Sequence, residues 1–364
     1  MDHQLRDRIR GAVLGQAIGD ALGAPTEGMT RAAIREAHGR VTGFLSDDPA
    51  GTDDTEYAAL TARILLTYGP ALTAEDVSAE WERTLAHQEG GFAGGGFSEM
   101  EAIHNLARGL RAPASGGDNH ELWSDGSAMR VAPIGAYCAG DPAEAARLAG
   151  IDAQVSHARD GIWCGQAIAA AVAAATATED WRVVVDAAVA ALPPDSWSAR
   201  LVTRAIAIAT GPGTADERYD ELECRIAIFH YPWADVAPEA TALAIGVFAI
   251  AEGDYVESVL GGVNIGRDAD TIAAMAGAMA GALRGAASIP ARWSERITEL
   301  RGSCIKATAG VRLEALADEI AAAASTRMPV HAPPPPAGPA SAANAASAAN
   351  LASAGDPDEK GTVA

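Results

Sequence analysis

Basic residues are scarce. Against 48 Asp and Glu the chain of 364 residues carries 27 Lys and Arg, a formal net charge of −21 at neutral pH. A surface of that sign repels a phosphate backbone, which draws its affinity from Lys and Arg, and this argues against a nucleic-acid partner. Aromatic residues are also few, 5% of the total, although 49% of the chain is hydrophobic and Ala dominates that share. The core must therefore close by near approach of helices through small side chains rather than through large rings. The cysteines, Cys138, Cys164, Cys224 and Cys304, include no Cys-x-x-Cys pair, which argues against a zinc or thiol redox site. Long apolar runs are missing too: the Ala-rich stretches 166–177 and 272–283 are too short and too weakly apolar to cross a bilayer, and read as buried core helices. From Met1 to Arg8 there is charge where a secretion signal has an apolar run, so a cytoplasmic location is expected. Convincing strand alternation and internal repeats are absent.

What is present is helical. Leu5, Ile9, Val13 and Ala17 recur every four residues, and stretches near 56–68, 73–87, 142–153, 179–191, 199–209 and 238–251 keep similar spacing. Val183-Val184-Val185 comes nearest to a strand and sits inside a helical pattern. Glycine and proline punctuate at Gly69-Pro70, Gly90 to Gly96, Pro193-Pro194, Gly211-Pro212-Gly213 and Gly285 to Pro290. The expectation is an all-α fold in one domain over 1–330. From His331 the composition turns to Pro, Ala, Ser, Asn and Gly, and 331–364 is expected to be a disordered tail, unable to bury enough apolar surface to order itself.

Two short segments far apart in the chain, Gly51-Thr52-Asp53-Asp54-Thr55 and Asn264-Ile265-Gly266-Arg267-Asp268-Ala269-Asp270-Thr271, both set Asp beside Thr. Each has the pattern of a helix cap, Asp53-x-x-Glu56 before an apolar run and Asp268-x-x-Thr271 before the stretch 272–283. Capping, however, needs one acidic side chain. Here carboxylates stand in pairs, whose mutual repulsion is costly unless a cation separates them. Carboxylates with hydroxyls are the hard oxygen donors that magnesium and manganese select, in contrast to the nitrogen and sulfur set of zinc. The two segments together would suit a pair of divalent ions about 3.5–4 Å apart. Gly261-x-x-x-x-Gly266-Arg267-Asp268 mimics a phosphate-binding loop but lacks its Lys and Ser or Thr.

Five motifs in order carry a resemblance: Gly19-Asp20-Ala21-Leu22-Gly23 with Glu27; Gly51 to Thr55; Asp125-Gly126-Ser127-Ala128-Met129-Arg130-Val131; Ser156-His157-Ala158; and Gly266 to Thr271. Over about Leu5 to Leu300 the chain resembles the ADP-ribosylglycohydrolases, among them the dinitrogenase-reductase-activating glycohydrolases and the ADP-ribosylarginine and ADP-ribosylserine hydrolases. The resemblance implies a roughly orthogonal helical bundle with two Mg2+ or Mn2+ ions at the base of a cleft. By position it implies Thr52, Asp53, Asp54 and Asp270 as ligands of one ion and Asp268, Asp270 and Thr271 of the other, with Asp270 bridging. Glu27 matches a glutamate on a mobile loop that joins or leaves the metal shell; with Asp54 and Asp268 it is expected to be catalytic. The segment Trp123, Ser124, Asp125, Gly126, Ser127, Ala128 and Met129 resembles a loop that wraps a diphosphate with backbone N–H groups, and His157 matches a cleft-lining position. There is one departure. Relatives commonly have Gly-Asn-Gly where this chain has Ser124-Asp125-Gly126-Ser127, which sets a negative charge near the diphosphate unless Asp125 turns away or caps the next helix.

The implied activity is hydrolysis at the anomeric carbon of the distal ribose, freeing ADP-ribose from a modified protein or a small ADP-ribose conjugate. An acidic cleft attracts a guanidinium, which favours arginine over serine linkage. The same ligands would also serve a dimetal nucleotide phosphoesterase, and a non-catalytic ADP-ribose sensor would keep the binding groups without turnover. No nucleic-acid or membrane partner is expected, and the chain is expected to act as a monomer.

Overall fold

The computed structural model describes residues 3–90 and 94–327; the expected tail, and residues 91–93 of the glycine-rich run, lie outside the described residues. Eighteen α-helices and no strand are found among the described residues, in agreement with the helical periodicity. In chain order they are α1 (His3–Gly23), α2 (Arg31–His38), α3 (Asp53–Tyr68), α4 (Ala74–Trp81), α5 (Phe97–Ala107), α6 (Ala114–Gly117), α7 (Gly126–Arg130), α8 (Ala132–Tyr137), α9 (Pro142–Ala153), α10 (Asp160–Ala175), α11 (Trp181–Ala190), α12 (Trp197–Ala209), α13 (Ala215–Ile226), α14 (Ala237–Ile250), α15 (Tyr255–Ile265), α16 (Ala269–Arg284), α17 (Ala291–Ser294) and α18 (Leu313–Arg327). Three isolated bridges, Thr30 with Gly266, Ser124 with Val236 and Glu299 with Arg312, tie loops together.

Local chemistry explains where helices begin. Pro stands in the first turn of α8, α9 and α14, where its missing N–H costs nothing. Thr73 and Thr214 form reciprocal capping boxes with Asp76 and Glu217 at the starts of α4 and α13. The expected helix over 73–87 ends as an α-helix at Trp81 and continues as a wider π turn over Glu82–Ala86.

The centre is built from helices buried on every side. All residues of α14, and all of α16 except Arg284, are buried, so the Ala-rich stretch 272–283 is a core helix as expected. Helix α1 lies antiparallel along α16. Gly11, Gly15, Gly19 and Gly23, one helical turn apart, face the backbone carbonyls of Gly281, Gly277, Ala273 and Ala269, and a Cβ at any of the four would overlap the facing carbonyl. Small residues on both sides thus let two backbones touch, the packing mode that a chain poor in rings requires. The seam also sets the register of the chemistry: Asp20, between Gly19 and Gly23 on α1, is brought to the start of α16, which carries Asp270. Among the described residues, no helix is long and apolar enough to cross a membrane.

Candidate metal centre

The two acidic segments converge. Thr271 Oγ1 donates to Asp54, 2.9 Å from Oδ1 and 3.2 Å from Oδ2, joining positions 217 residues apart. Neither helix start is capped by its own side chain: Thr52 before α3 and Asp268 before α16 make no side-chain capping bond. Glu56, the other half of the cap pattern, instead accepts from the N–H groups of Ser303, Cys304 and Ile305 at 2.7, 2.8 and 2.6 Å. The start of α3 is capped by α1. The Asp20 carboxylate accepts from Thr52 N–H at 3.0 and 2.8 Å, from Thr52 Oγ1 at 2.8 Å and from Thr55 N–H at 3.2 Å, with Thr55 Oγ1 close beside it.

Carboxylate oxygens gather in two trios, Asp20 with Asp54 and Asp270, and Glu27 with Asp268 and Asp270, each within 4.8 Å. Asp270 belongs to both. Asp54 and Asp270 lie in first helical turns, where the helix dipole favours negative charge. Asp53 also receives a backbone donor, Gly95 N–H, at 2.7 Å from Oδ2. Glu27 is exposed, but its loop is anchored on both sides: Gly28 N–H donates to the Arg267 carbonyl at 2.8 Å, Arg267 N–H to the Met29 carbonyl at 2.7 Å, and Thr26 Oγ1 to the Val263 carbonyl at 2.9 Å. Gly266, at φ 77° and against the Met29 carbonyl, leaves no room for a side chain in that crossing.

Loss of water raises the pKa of the carboxyl groups in both trios. Asp54, Asp268 and Asp270 are pushed well above the ordinary carboxylate range, first by loss of water and then by neighbouring charge: Asp270 acts on Asp54, Asp125 on Asp268 and Asp268 on Asp270. Asp20 is raised to about 7 by burial, which outweighs its hydrogen bonds from Thr55 and Thr52. Asp53 is raised as well, by burial first, and Glu27, exposed as a residue, is raised by partial loss of water around its carboxyl group and then by Asp53. Arg267, the adjacent cation in sequence, is committed elsewhere, its Nε 2.5 Å from Glu239 Oε1 and its Nη2 3.1 Å from the Trp233 carbonyl.

The donor set fits divalent cations. Buried carboxylates crowd with no described Lys or Arg to neutralise them, both trios offer oxygen alone, and the hydroxyls of Thr52 and Thr271 stand against two of the carboxylates. Hard ions with oxygen ligands satisfy those conditions. Asp125 adds an independent sign. It is 2% exposed, its Oδ2 has no hydrogen-bond partner, and it is held well above the ordinary range by burial, then by Asp235. Its side chain neither turns to solvent nor caps α7, but lies against Asp268.

The segment expected to wrap a diphosphate is supported from behind. The side chains of Ser124, Ser127, Ala128 and Met129 are buried, Gly126 packs on the Glu99 carboxylate, and the N–H groups of Ser124, Asp125, Ala128 and Met129 donate to Ser98 Oγ and to the carbonyls of Asp235 and Asp125, so what the segment leaves for a ligand is the N–H groups of Gly126 and Ser127. Trp123 is half-buried in an aromatic cluster, its ring centroid 5.7 Å from Phe97, 5.3 Å from Tyr231 and 6.3 Å from Trp197. His157, 1% exposed, stands behind the segment with Nδ1 2.7 Å from Ser156 Oγ and Nε2 3.1 Å from Ser124 Oγ. Burial, then Arg130, holds its pKa well below the usual value, so the ring is neutral. Arg130 organises this layer: Nε is 2.7 Å from Asp152 Oδ2, Nη1 2.9 Å from Glu99 Oε1, Nη2 3.0 Å from Ser156 Oγ, and the guanidinium lies 4.9 Å from the Trp81 ring centroid.

Asp20 falls within the motif Gly19 to Gly23, and the sequence alone assigns it no role. Its signal was an Asp inside an apolar, glycine-spaced helix, since an Asp buried there needs partners. Glu99, Asp152 and Asp235 had no comparable local signal; they matter through neighbours that only the fold supplies.

Comparison with known proteins places the chain among relatives. A family model described as ADP-ribosylglycohydrolase matches residues 1–329. An uncharacterized protein of Archaeoglobus fulgidus is 33% identical over 306 residues, spanning 81% of this chain and 93% of the relative. A solved structure titled ADP-ribosylglycohydrolase-related protein complex matches with a TM-score of 0.62 and 25% identity, covering 88% of this chain and 99% of that one.

Proposed function

Since the chain belongs to the ADP-ribosylglycohydrolase family, we propose that it removes ADP-ribose from modified protein side chains, with arginine linkage favoured over serine, at a site holding two magnesium or manganese ions. The observation that carries this reading is Asp270, shared by two carboxylate trios and linked to Asp54 through Thr271. Thr52, Asp53, Asp54, Asp268, Asp270 and Thr271 would hold the ions, with Asp20 and Glu27 completing the trios. When bound, the ions supply Lewis-acid charge that orients ribose hydroxyls and makes hydroxide available near neutral pH.

The chain's own groups do the rest. A carboxylate oxygen of Asp54 or Asp268 takes the proton of the attacking water, and Glu27, exposed at the edge of its trio, adjusts its contact as substrate enters. Glycoside cleavage passes through a cation-like sugar, which the surrounding carboxylates stabilise. The backbone N–H groups of Gly126 and Ser127, the two between Trp123 and Met129 that do not donate within the protein, face the diphosphate, while the Arg130 layer holds the segment in place.

Purified protein supplied with magnesium or manganese, offered a panel of defined ADP-ribose conjugates, tests this reading. Intact ADP-ribose and unmodified arginine are the expected products. AMP or free phosphate would mark a phosphoesterase instead, and tight ADP-ribose binding without release from arginine-, serine- or acetyl-linked conjugates would mark a sensor. Glu27→Ala should lower turnover while leaving the melting temperature near wild type; unchanged kinetics would remove it from the site.

A further inference from the structure

One buried carboxylate beside the metal centre belongs to neither trio. Asp125, the residue before α7, stands where relatives commonly have Asn. Its backbone is held on both sides: its N–H donates to the Asp235 carbonyl at 3.3 Å, and its own carbonyl accepts from Ala128 N–H at 2.7 Å and Met129 N–H at 3.0 Å. Ser124, just ahead of it, is bridged to Val236. So fixed, the Asp125 side chain is buried, does not cap α7, and is in hydrogen-bonding contact with the Asp268 carboxyl group. Its Oδ2 has no donor. The other charges that act on it most strongly are carboxylates too, Asp54 on α3, Glu99 on α5 and Asp235 before α14. Of these only Glu99 is paired with a guanidinium among the described residues, that of Arg130.

Asn and Asp share a shape and differ in what they offer Asp268. An Asn amide donates an N–H to that carboxylate, whereas two carboxylates in contact repel unless something positive lies between them. A proton is one candidate, but it removes a single unit of charge in a place where Asp54, Asp235 and Asp270 add more. A divalent cation answers more of that charge and takes the idle Oδ2 as a ligand. Resting on the dimetal reading above, we infer that Asp125 is a further ligand of the ion held by Glu27, Asp268 and Asp270, a metal-binding residue that this chain has in place of an asparagine. That ion then meets four carboxylates instead of three, and affinity for a hard cation rises with the charge of its ligands. The assignment also answers the departure in the diphosphate loop. The ion covers the Asp125 charge that otherwise stands bare next to the open N–H groups of Gly126 and Ser127.

The test titrates manganese alone into the full metal-free chain and follows binding by calorimetry. Wild type should take up two ions, and Asp125→Asn, which keeps the shape and loses the charge, should bind one of them about tenfold more weakly. Asp125→Ala should weaken the same ion at least as much. In a double-mutant cycle the loss from Asp125→Asn should shrink in an Asp268→Asn background, because the two residues share an ion. Unchanged affinity in Asp125→Asn, the sign of an amide that simply donates to Asp268, overturns the inference, as does a loss that adds in full to that of Asp268→Asn. Free ADP-ribose gives a second readout. Without manganese Asp125→Asn should bind it about fivefold more tightly than wild type, and at saturating manganese the two should bind alike. The same gain in both conditions means a carboxylate left bare, and also overturns the assignment. If wild type takes up no manganese, the dimetal reading falls and takes this assignment with it. If wild type takes up two ions but releases ADP-ribose from no conjugate, the proposed activity falls by itself, and the manganese titration still decides Asp125.

Discussion

Two buried groups of carboxylates lie close together in this protein and solve the same problem differently. Glu99 and Asp152 share the guanidinium of Arg130, and all three side chains are buried. Asp54, Asp268 and Asp270 are equally buried but face one another and Asp20, with no guanidinium or ammonium from the described chain. One cluster closes its charge balance internally and therefore acts as framework. The other leaves the balance open, which is what a site that takes its cations from solution must do.

Breaking the closed cluster should have the largest effect on folding. Arg130→Met leaves Glu99 and Asp152 buried without a cation and should destabilise the protein by about 3–5 kcal/mol, measured by chemical denaturation. A loss under about 1 kcal/mol would show that protonation, not Arg130, already neutralises the pair. In the open cluster the sign reverses. Asp270→Asn removes one of several repelling charges, so the metal-free variant should melt at or above the wild-type temperature while turnover falls at least about a hundredfold. Titrating manganese during thermal melts of both proteins checks this, since the stabilisation by added ion should shrink in the variant. A smaller effect lies in the seam that brings the two segments together. Gly19→Ala places a methyl against the Ala273 carbonyl and should cost about 1–3 kcal/mol as α1 is pushed from α16. If it also weakens manganese binding, the seam sets the spacing of Asp20 and Asp270; unaltered affinity would separate packing from site geometry.

The same contrast explains what could be read from residues alone. Helical class followed from the four-residue recurrence of Leu5, Ile9, Val13 and Ala17, because a core face must repeat with the helix. The Asp-Thr segments announced themselves because two adjacent carboxylates exceed what a cap needs, and Thr271 does reach Asp54. Glu56 looked like part of a cap and is spent on the backbone of 303–305, a partner no local pattern announces. His157 was matched to a cleft-lining position; its neighbours Ser124 and Ser156 instead occupy both ring nitrogens. Open charge leaves a mark in the chain as crowded like residues, whereas closed charge is invisible until the distant partner is in place.

The pH dependence of stability sharpens the contrast further. Asp20 and Glu99 are both raised to about 7, by burial in each case, although Glu99 has Arg130 at hand. A carboxyl group whose folded pKa lies above its unfolded value lends stability that is complete below the unfolded pKa and disappears as pH rises through the folded one. Metal-free protein should therefore be most stable near pH 4 and lose stability up to about pH 7, a loss that Asp54, Asp268 and Asp270 extend upward because their values lie higher still. Bound ions take the place of protons in the open cluster only. Saturating manganese should flatten the part of the slope that Asp20→Asn also removes, and leave the part that Glu99→Gln removes. Urea denaturation across this pH range, with and without manganese, measures both parts; a slope that manganese does not change would mean that the ions bind away from the trios around Asp270.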